Sequence, residues 1–106
     1  MESDNLYTQL PDKLDEEVFE LLAKGENVKI ERIISNGHTS PDNGWYYQAQ
    51  NEWVVVLKGN ATISFENGQV VDLKEGDYLN ILSHQKHKVI RTSTATETIW
   101  LAIHYT

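Results

Sequence analysis

The stretch ATISFENGQVVDL, residues 61–73, decides the fold class. Its first half alternates apolar and polar residues over 61–65, and its second half, 69–73, is rich in β-branched residues, as in strands with one buried face. Asn67-Gly68 lies between the two halves and is a strong signal for a two-residue type I′ hairpin. The stretch therefore predicts two antiparallel strands joined by a tight turn.

Runs of similar texture continue on both sides of this hairpin, separated by Gly, Asn, Pro or charged turns such as the one at 74–77. The predicted strands cover residues 28–34, 45–49, 53–57, 61–65, 69–73, 78–82, 87–92 and 98–105. Eight or more short strands at this spacing indicate an all-β sandwich or barrel.

The segment before the first of these strands has a different pattern. Between residues 12 and 24 the apolar side chains follow a helical spacing, and they are Leu14, Val18, Leu21 and Leu22. Asp15 is a candidate N-cap, and Gly25 lies just past the end of the pattern. These features predict one short amphipathic helix near the N-terminus.

The length of the chain limits its organisation. A chain of 106 residues suffices for one modest hydrophobic core, and no repeat or linker divides it. We expect a single domain over residues 1–106, with an arm and the helix in 1–25 and the barrel in 26–106. Residues 1–10 could be a loose arm or a strand packed on a partner subunit.

Composition excludes several classes of function. The 9 Lys and Arg residues against 16 Asp and Glu give a net charge of −7, which disfavours nucleic acid and anionic membranes as partners. The apolar runs are too short to span a membrane, and the acidic N-terminus lacks the basic start of a signal peptide, so we expect a cytoplasmic protein. Because the chain has no cysteine, any metal must be held by nitrogen and oxygen ligands.

Two segments carry recognisable motifs. Residues 52–59, EWVVVLKG, place Gly59 seven positions after Glu52, and residues 76–87, GDYLNILSHQKH, begin with Gly76 and end with His87. These segments resemble the paired motifs of the cupin superfamily. The second family motif has Pro and Gly where this chain has Leu82 and His84. The two histidines of the first motif are replaced by Tyr46 and Gln48.

The resemblance implies a jelly-roll barrel with a small-molecule pocket inside it. Residues 45–53 resemble a subgroup of small cupins in which Trp-Tyr-x-Gln replaces the histidine pair. Because side chains alternate along a strand, Glu52 shares its face with Val54 and Val56. In the arrangement that the resemblance implies, Gln48, Glu52 and His87 converge on one point.

The residues implied at that point are candidate metal ligands. Gln48, Glu52 and His87, with His84 at the edge, offer nitrogen and oxygen donors for Zn, Ni, Fe or Mn. Glu52 and His87 are also the candidate catalytic pair, although the pair could be only a buried hydrogen bond. Because two imidazoles are replaced by a phenol and an amide, we expect weak metal binding, with partial occupancy or an empty site.

Three further residues are candidates for the wall of the substrate pocket. Tyr46 could be a phenolate ligand, a proton donor or an aromatic wall. Arg91 shares a predicted strand face with His87 and could anchor a carboxylate or phosphate, or pair with Glu97 or Glu66. His104, in the last predicted strand, could line the cavity if that face is interior.

Three functions are compatible with these residues. The first is a metal-dependent oxygenase or isomerase acting on a small organic substrate. The second is a metal-free enzyme that uses His87 and Glu52 for proton transfer, and the third is a non-catalytic module that binds or senses a metabolite. A homodimer is expected, because Trp53, Trp100 and the half-apolar arm offer surface for an interface.

Overall fold

The computed structural model describes residues 1–12, 14–41 and 44–106 of the chain. These residues form eight strands: β1 (Val18–Lys24), β2 (Val28–Ser35), β3 (Asn51–Lys58), β4 (Asn60–Phe65), β5 (Val70–Lys74), β6 (Tyr78–Ile81), β7 (His87–Thr92) and β8 (Thr98–Tyr105). One sheet has the order β1-β2-β8-β3-β6 and the other the order β5-β4-β7, with antiparallel pairing. The predicted all-β fold is confirmed.

The core lies between the inner faces of the two sheets. Period-2 alternation selects its members. In β3, Val54 and Val56 are buried while Trp53, Val55 and Leu57 are only partly covered. The buried apolar cluster takes residues from both sheets: Ile33, Val54, Val56, Ala61, Ile63, Phe65, Leu73, Ile81, Trp100 and Ala102. This inner face is the surface on which the site is built.

The predicted N-terminal helix is wrong. Residues 18–24 form the edge strand β1, paired with β2 in a register that opposes Val18 to Ile34 and Glu20 to Arg32. The Arg32 guanidinium binds both carboxylate oxygens of Glu20, at 2.8 and 2.9 Å. A cross-strand ion pair and a ladder of backbone hydrogen bonds outweigh a weak helical periodicity. Lys13, within the predicted helix, lies outside the described residues.

The N-terminal arm packs on the chain's own sheet. The Arg32 side chain is buried and donates to the backbone carbonyls of Leu6, Thr8 and Gln9, at 3.1, 2.8 and 3.3 Å. The Tyr7 hydroxyl also donates to the Leu57 carbonyl, at 3.3 Å. The arm is therefore fastened to the outside of the larger sheet rather than loose.

The predicted strand at 45–49 reduces to a single bridge. Tyr46 and His87 exchange backbone hydrogen bonds of 2.7 and 3.2 Å, and the segment is otherwise irregular. The expected number of strands is present among the described residues, but β1 takes the place of this segment. Asp42 and Asn43, in the loop before it, lie outside the described residues.

The hairpin at Asn67-Gly68 is present, but its turn differs from the prediction. The Gly68 N–H donates to the Phe65 carbonyl at 3.0 Å, and the Phe65 N–H donates to the Gln69 carbonyl at 2.8 Å. The loop therefore contains three residues, 66–68. Of the predicted pair, Gly68 has a positive φ of 96° and Asn67 does not. This is the pattern of a type I turn closed by a left-handed glycine rather than of a type I′ turn.

The tryptophans expected at a dimer surface lie in different environments. Trp100 is 3 % exposed and belongs to the core, so it offers no surface to a partner. Trp53 faces away from the core, and its ring lies 5.2 Å from the ring of Tyr78. Within the described ranges, no helix has the length and hydropathy to cross a membrane.

Gly59 is a motif glycine that the fold requires for space as well as for backbone conformation. Its φ is 85°, and a Cβ at this position would lie 2.6 Å from Thr98 Oγ1 and 2.9 Å from the Glu97 carbonyl oxygen. The β3–β4 turn passes directly over the start of β8 at this point, so a side chain would push the two apart.

We predict that Gly59→Ala lowers the free energy of unfolding by about 2–4 kcal/mol, through backbone strain and a steric clash. Gly76→Ala is the matched control, because Gly76 has a similar φ of 90° but open space around it. Urea unfolding of both variants measures the difference. Equal losses for the two variants would contradict the importance of the close contact with Thr98.

Candidate functional site

A cavity of about 440 Å³ opens between the two sheets. Its apolar wall is formed by Phe19, Ile33, Val54, Ile63, Ile81, Val89 and Trp100. Its polar lining residues are Glu17, Lys29, Glu31, Tyr46, Gln48, Glu52, His87 and His104. An apolar cavity with a few converging polar groups is typical of a small-molecule site.

Gln48, Glu52 and His87 meet inside this cavity. The Gln48 side-chain amide donates to Glu52 Oε1 at 3.1 Å, and His87 Nε2 lies 3.5 Å from the same oxygen. Glu52 comes from β3 in the larger sheet, and His87 begins β7 in the smaller one. The carboxylate–imidazole contact therefore joins the two sheets across the cavity.

The backbone fixes the orientation of the His87 ring. Nδ1 lies 2.9 Å from the Gln85 carbonyl oxygen, which can only accept, so Nδ1 carries a proton and donates. Nε2 then faces Glu52, and it is the nitrogen at which His87 gains or loses a proton.

Opposite pKa shifts hold this pair in its charged form. Burial alone would raise the pKa of Glu52, but the contacts with His87, His104 and the Gln48 amide more than offset it, so the pKa lies below its ordinary value. Burial alone would lower the pKa of His87, but the Glu52 carboxylate and the Gln85 carbonyl raise it above its ordinary value. Between the two values the pair is a carboxylate and an imidazolium.

A second carboxylate–imidazole pair lines the same cavity. His104 is 8 % exposed, and its Nε2 lies 3.1 Å from Glu31 Oε1. His104 is also the direct cross-strand partner of Glu52. His104 is a pocket candidate from the sequence, whereas Glu31 is not. Sequence reasoning missed Glu31 because half of the eight β2 residues are polar, so their alternation does not show which face of the strand is inward.

Tyr46 lies at the mouth of the cavity. Its side chain is 48 % exposed, and its ring centre is 6.0 Å from that of His87. The two backbone hydrogen bonds to His87 hold it there. Of its three predicted roles, this position fits an aromatic wall best.

His84 is not brought to the cavity. It occupies an exposed turn with a φ of 64°, and its ring packs 5.2 Å from the ring of Tyr47. Its contribution to the site is through the backbone, because its N–H donates to the Gln48 carbonyl at 2.8 Å. This bond positions the segment that carries Gln48.

Arg91 also lies outside the cavity, because β7 contains a bulge. Val89 opposes Ile63, but Arg91 opposes the preceding residue, Thr62, so Ile90 is the extra residue and the side-chain alternation reverses beyond it. The guanidinium binds Asn60 Oδ1 at 2.6 Å and Thr62 Oγ1 at 3.1 Å on the exposed face.

The donor set does not fit a typical divalent-metal site. Among the described residues, no group of three or more His, Cys, Asp and Glu side chains is arranged to hold an ion. Glu52 and His87 supply two donors, and the Gln48 amide nitrogen is directed at Glu52 rather than its oxygen at a shared point. Zinc sites in proteins use three or four protein ligands.

The two sheets enclose a cavity of the kind that small-molecule sites occupy. A family model described as the cupin domain matches residues 31–104. The chain therefore belongs to the cupin family, and the predicted resemblance is confirmed. No curated protein sequence matches the chain.

Solved structures agree with this family. A proposed mannose-6-phosphate isomerase from Ralstonia eutropha JMP134 is 38 % identical, with a TM-score of 0.94 over 99 % of this chain and 98 % of its own. A cupin superfamily protein from Desulfitobacterium hafniense is 20 % identical, with a TM-score of 0.74 over 91 % of this chain and 83 % of its own. An RmlC-like cupin from Methanocaldococcus jannaschii is 19 % identical, with a TM-score of 0.70 over 92 % and 86 %. The last two likenesses show the fold alone.

We predict that the coupling between His87 and Glu52 depends on pH. The contribution of His87 is fully present below its ordinary pKa of 6.5 and is lost as the pH rises through its raised pKa. The contribution of Glu52 is present above its ordinary pKa of 4.5 and is lost as the pH falls through its lowered pKa. The pair therefore stabilises the folded protein most between pH 4.5 and pH 6.5, the ordinary pKa values of the two groups.

A double-mutant cycle of Glu52→Gln and His87→Gln measures this coupling by urea unfolding. We expect a coupling of about 0.5–3 kcal/mol at pH 5.5 and a smaller one at pH 8.5. A coupling that grows from pH 5.5 to pH 8.5 would contradict a pair made of a carboxylate and an imidazolium.

We also predict that the untagged protein does not bind Zn, Ni, Mn or Fe(II) stoichiometrically at pH 7.5, because no three His, Asp or Glu side chains among the described residues are arranged to hold one ion, whereas a tight zinc site has three or four protein ligands. Calorimetric titration tests this, with His84→Ala as a control that removes an imidazole outside the cavity. Equimolar binding that is lost in both Glu52→Ala and His87→Ala would restore the metal hypothesis.

Proposed function

We propose that this cupin is a metal-free isomerase or epimerase that moves a proton next to a carbonyl group of a small organic substrate. One observation carries the proposal: the partly buried carboxylate of Glu52 and the buried imidazole of His87 lie 3.5 Å apart at the wall of a cavity of about 440 Å³. Paired groups with pKa values shifted in opposite directions supply a base and an acid in the same pH range.

The roles follow from the charge states. The Glu52 carboxylate accepts the proton from the carbon next to the carbonyl, and the His87 imidazolium donates its Nε2 proton to the carbonyl oxygen. The Gln48 amide holds Glu52 in place through its hydrogen bond. The negative charge that develops on the substrate is thereby neutralised as it forms.

The chemistry of the Ralstonia relative supports this class of reaction. That protein is described as a proposed mannose-6-phosphate isomerase, and aldose–ketose isomerisation is a proton transfer between adjacent carbons. The metal-dependent alternative has weaker support, because among the described residues no three His, Asp or Glu side chains are arranged to hold an ion.

Deuterium exchange tests the proposal directly. We expect the wild-type protein to introduce solvent deuterium next to the carbonyl of at least one compound among mannose, fructose, their 6-phosphates and glyceraldehyde, followed by proton NMR in D₂O. Glu52→Gln should slow this exchange by about 10²–10⁴-fold, the usual contribution of a general base.

The control is His38→Gln, since His38 is not among the described residues that line the cavity. Exchange that is equally fast in Glu52→Gln would remove Glu52 as the base. No exchange with any compound, together with saturable binding, would overturn the proposal in favour of a non-catalytic binding module.

A further inference from the structure

The inner face of the larger sheet carries an unusual row of groups. Glu31 on β2, His104 on β8 and Glu52 on β3 lie on three neighbouring strands. Glu52 and His104 are direct cross-strand partners, so their Cβ atoms are about 4.5–5.5 Å apart. His87 approaches Glu52 from the facing sheet, at 3.5 Å. Glu52 is therefore flanked by two imidazoles.

We infer that His104, positioned by Glu31, is a second catalytic acid–base group. The substrate is then an α-hydroxy carbonyl compound, with His87 exchanging a proton with one of its two adjacent oxygens and His104 with the other. This inference rests on the proposed function and narrows it to a 1,2-proton shift. Glu52, in the centre, can move the proton between the two carbons. His87 and His104, on either side of it, can each exchange a proton with one of the two oxygens.

The proton and electron balance closes with these three groups. In the first half, Glu52 takes the proton from the hydroxyl-bearing carbon, the carbon–carbon double bond forms, and the carbonyl oxygen takes the Nε2 proton of His87. The product of this half is a neutral enediol. In the second half, Glu52 delivers a proton to the former carbonyl carbon, and His104 Nδ1 accepts the proton of the other hydroxyl, which becomes the new carbonyl.

The cycle ends with an added proton on His104 and with Nε2 of His87 deprotonated. A proton passing from His104 to His87, through water or through Glu52 between them, restores the starting state. The Glu52 carboxyl takes the carbon proton, can exchange it with solvent, and delivers a proton back to carbon, so both transfers occur on one face of the substrate. This arrangement suits an isomerase that shifts a carbonyl group, whereas an epimerase that inverts a carbon needs proton donors on opposite faces.

Glu31 is a positioning residue in this scheme. Its carboxylate accepts from His104 Nε2 at 3.1 Å, and this leaves Nδ1 as the nitrogen that a ligand could use. The Lys29 ammonium lies 3.7 Å from the other oxygen of Glu31. The Glu31 carboxylate is thus held on one side by His104 and on the other by Lys29.

The experiment separates the two halves of the reaction. His104→Gln should leave the first half intact, so solvent deuterium still enters the hydroxyl-bearing carbon of mannose at close to the wild-type rate. Conversion of mannose to fructose, which needs the second half, should fall by about 10²-fold or more. Proton NMR in D₂O gives both rates in one sample.

Glu31→Gln provides a second variant that keeps the side-chain volume. It should also lower conversion more than exchange, and His38→Gln should change neither rate. Thermal unfolding confirms that each variant is folded. A His104→Gln protein that loses exchange and conversion in the same proportion, or that keeps both, overturns the inference and leaves Glu52 and His87 as the whole machinery.

A wild-type protein that neither exchanges nor converts the compounds tested overturns the proposed function, and the inference fails with it. The two failures are distinguishable, because failure of the proposed function appears in the wild-type protein, whereas failure of the inference alone appears only in the variants.

Discussion

The pairing of β8 with both β2 and β3 is the constraint on which the site depends. β8 opposes β2 from Val28 to Ser35 on one side and β3 on the other, so its register fixes three strands at once. Glu31, His104 and Glu52 face one cavity only in this register. A shift of one residue in the ladder with β2 or β3 would turn Glu31 or Glu52 away from the cavity.

Three carboxylates and two imidazoles on the wall of one cavity would be costly if they were unpaired. Each imidazole instead has a carboxylate beside it, since His87 contacts Glu52 and His104 contacts Glu31. The third carboxylate, Glu17, accepts a hydrogen bond of 2.7 Å from the buried hydroxyl of Ser35. Such pairing costs desolvation energy that apolar residues would not, so stability alone does not account for these groups.

Much of the fold could be predicted from alternation and turn signals, because both are local. The strands on either side of Asn67-Gly68 lie within a residue or two of their expected bounds. The helix could not be excluded in this way, because β1 is stabilised by partners such as Arg32 that are distant in sequence. The same limit applies to Arg91, whose outward direction depends on a bulge at Ile90 that no local pattern reveals.

The positions of the site residues were predictable where side chains alternate regularly along a strand and a motif indicates which of them face inward. Glu52 and His87 satisfy both conditions, and Gln48 reaches them although its segment is held by backbone bonds from Tyr46 and His84 rather than by a strand. Glu31 lies outside the motifs, and only the cross-strand ladder brings it to His104. The bulge in β7 comes after His87 and Val89, so the side chains of the part of the strand that lines the cavity alternate regularly. Most of the groups that we propose to react therefore lie on strands, which hold such an arrangement more rigidly than loops do.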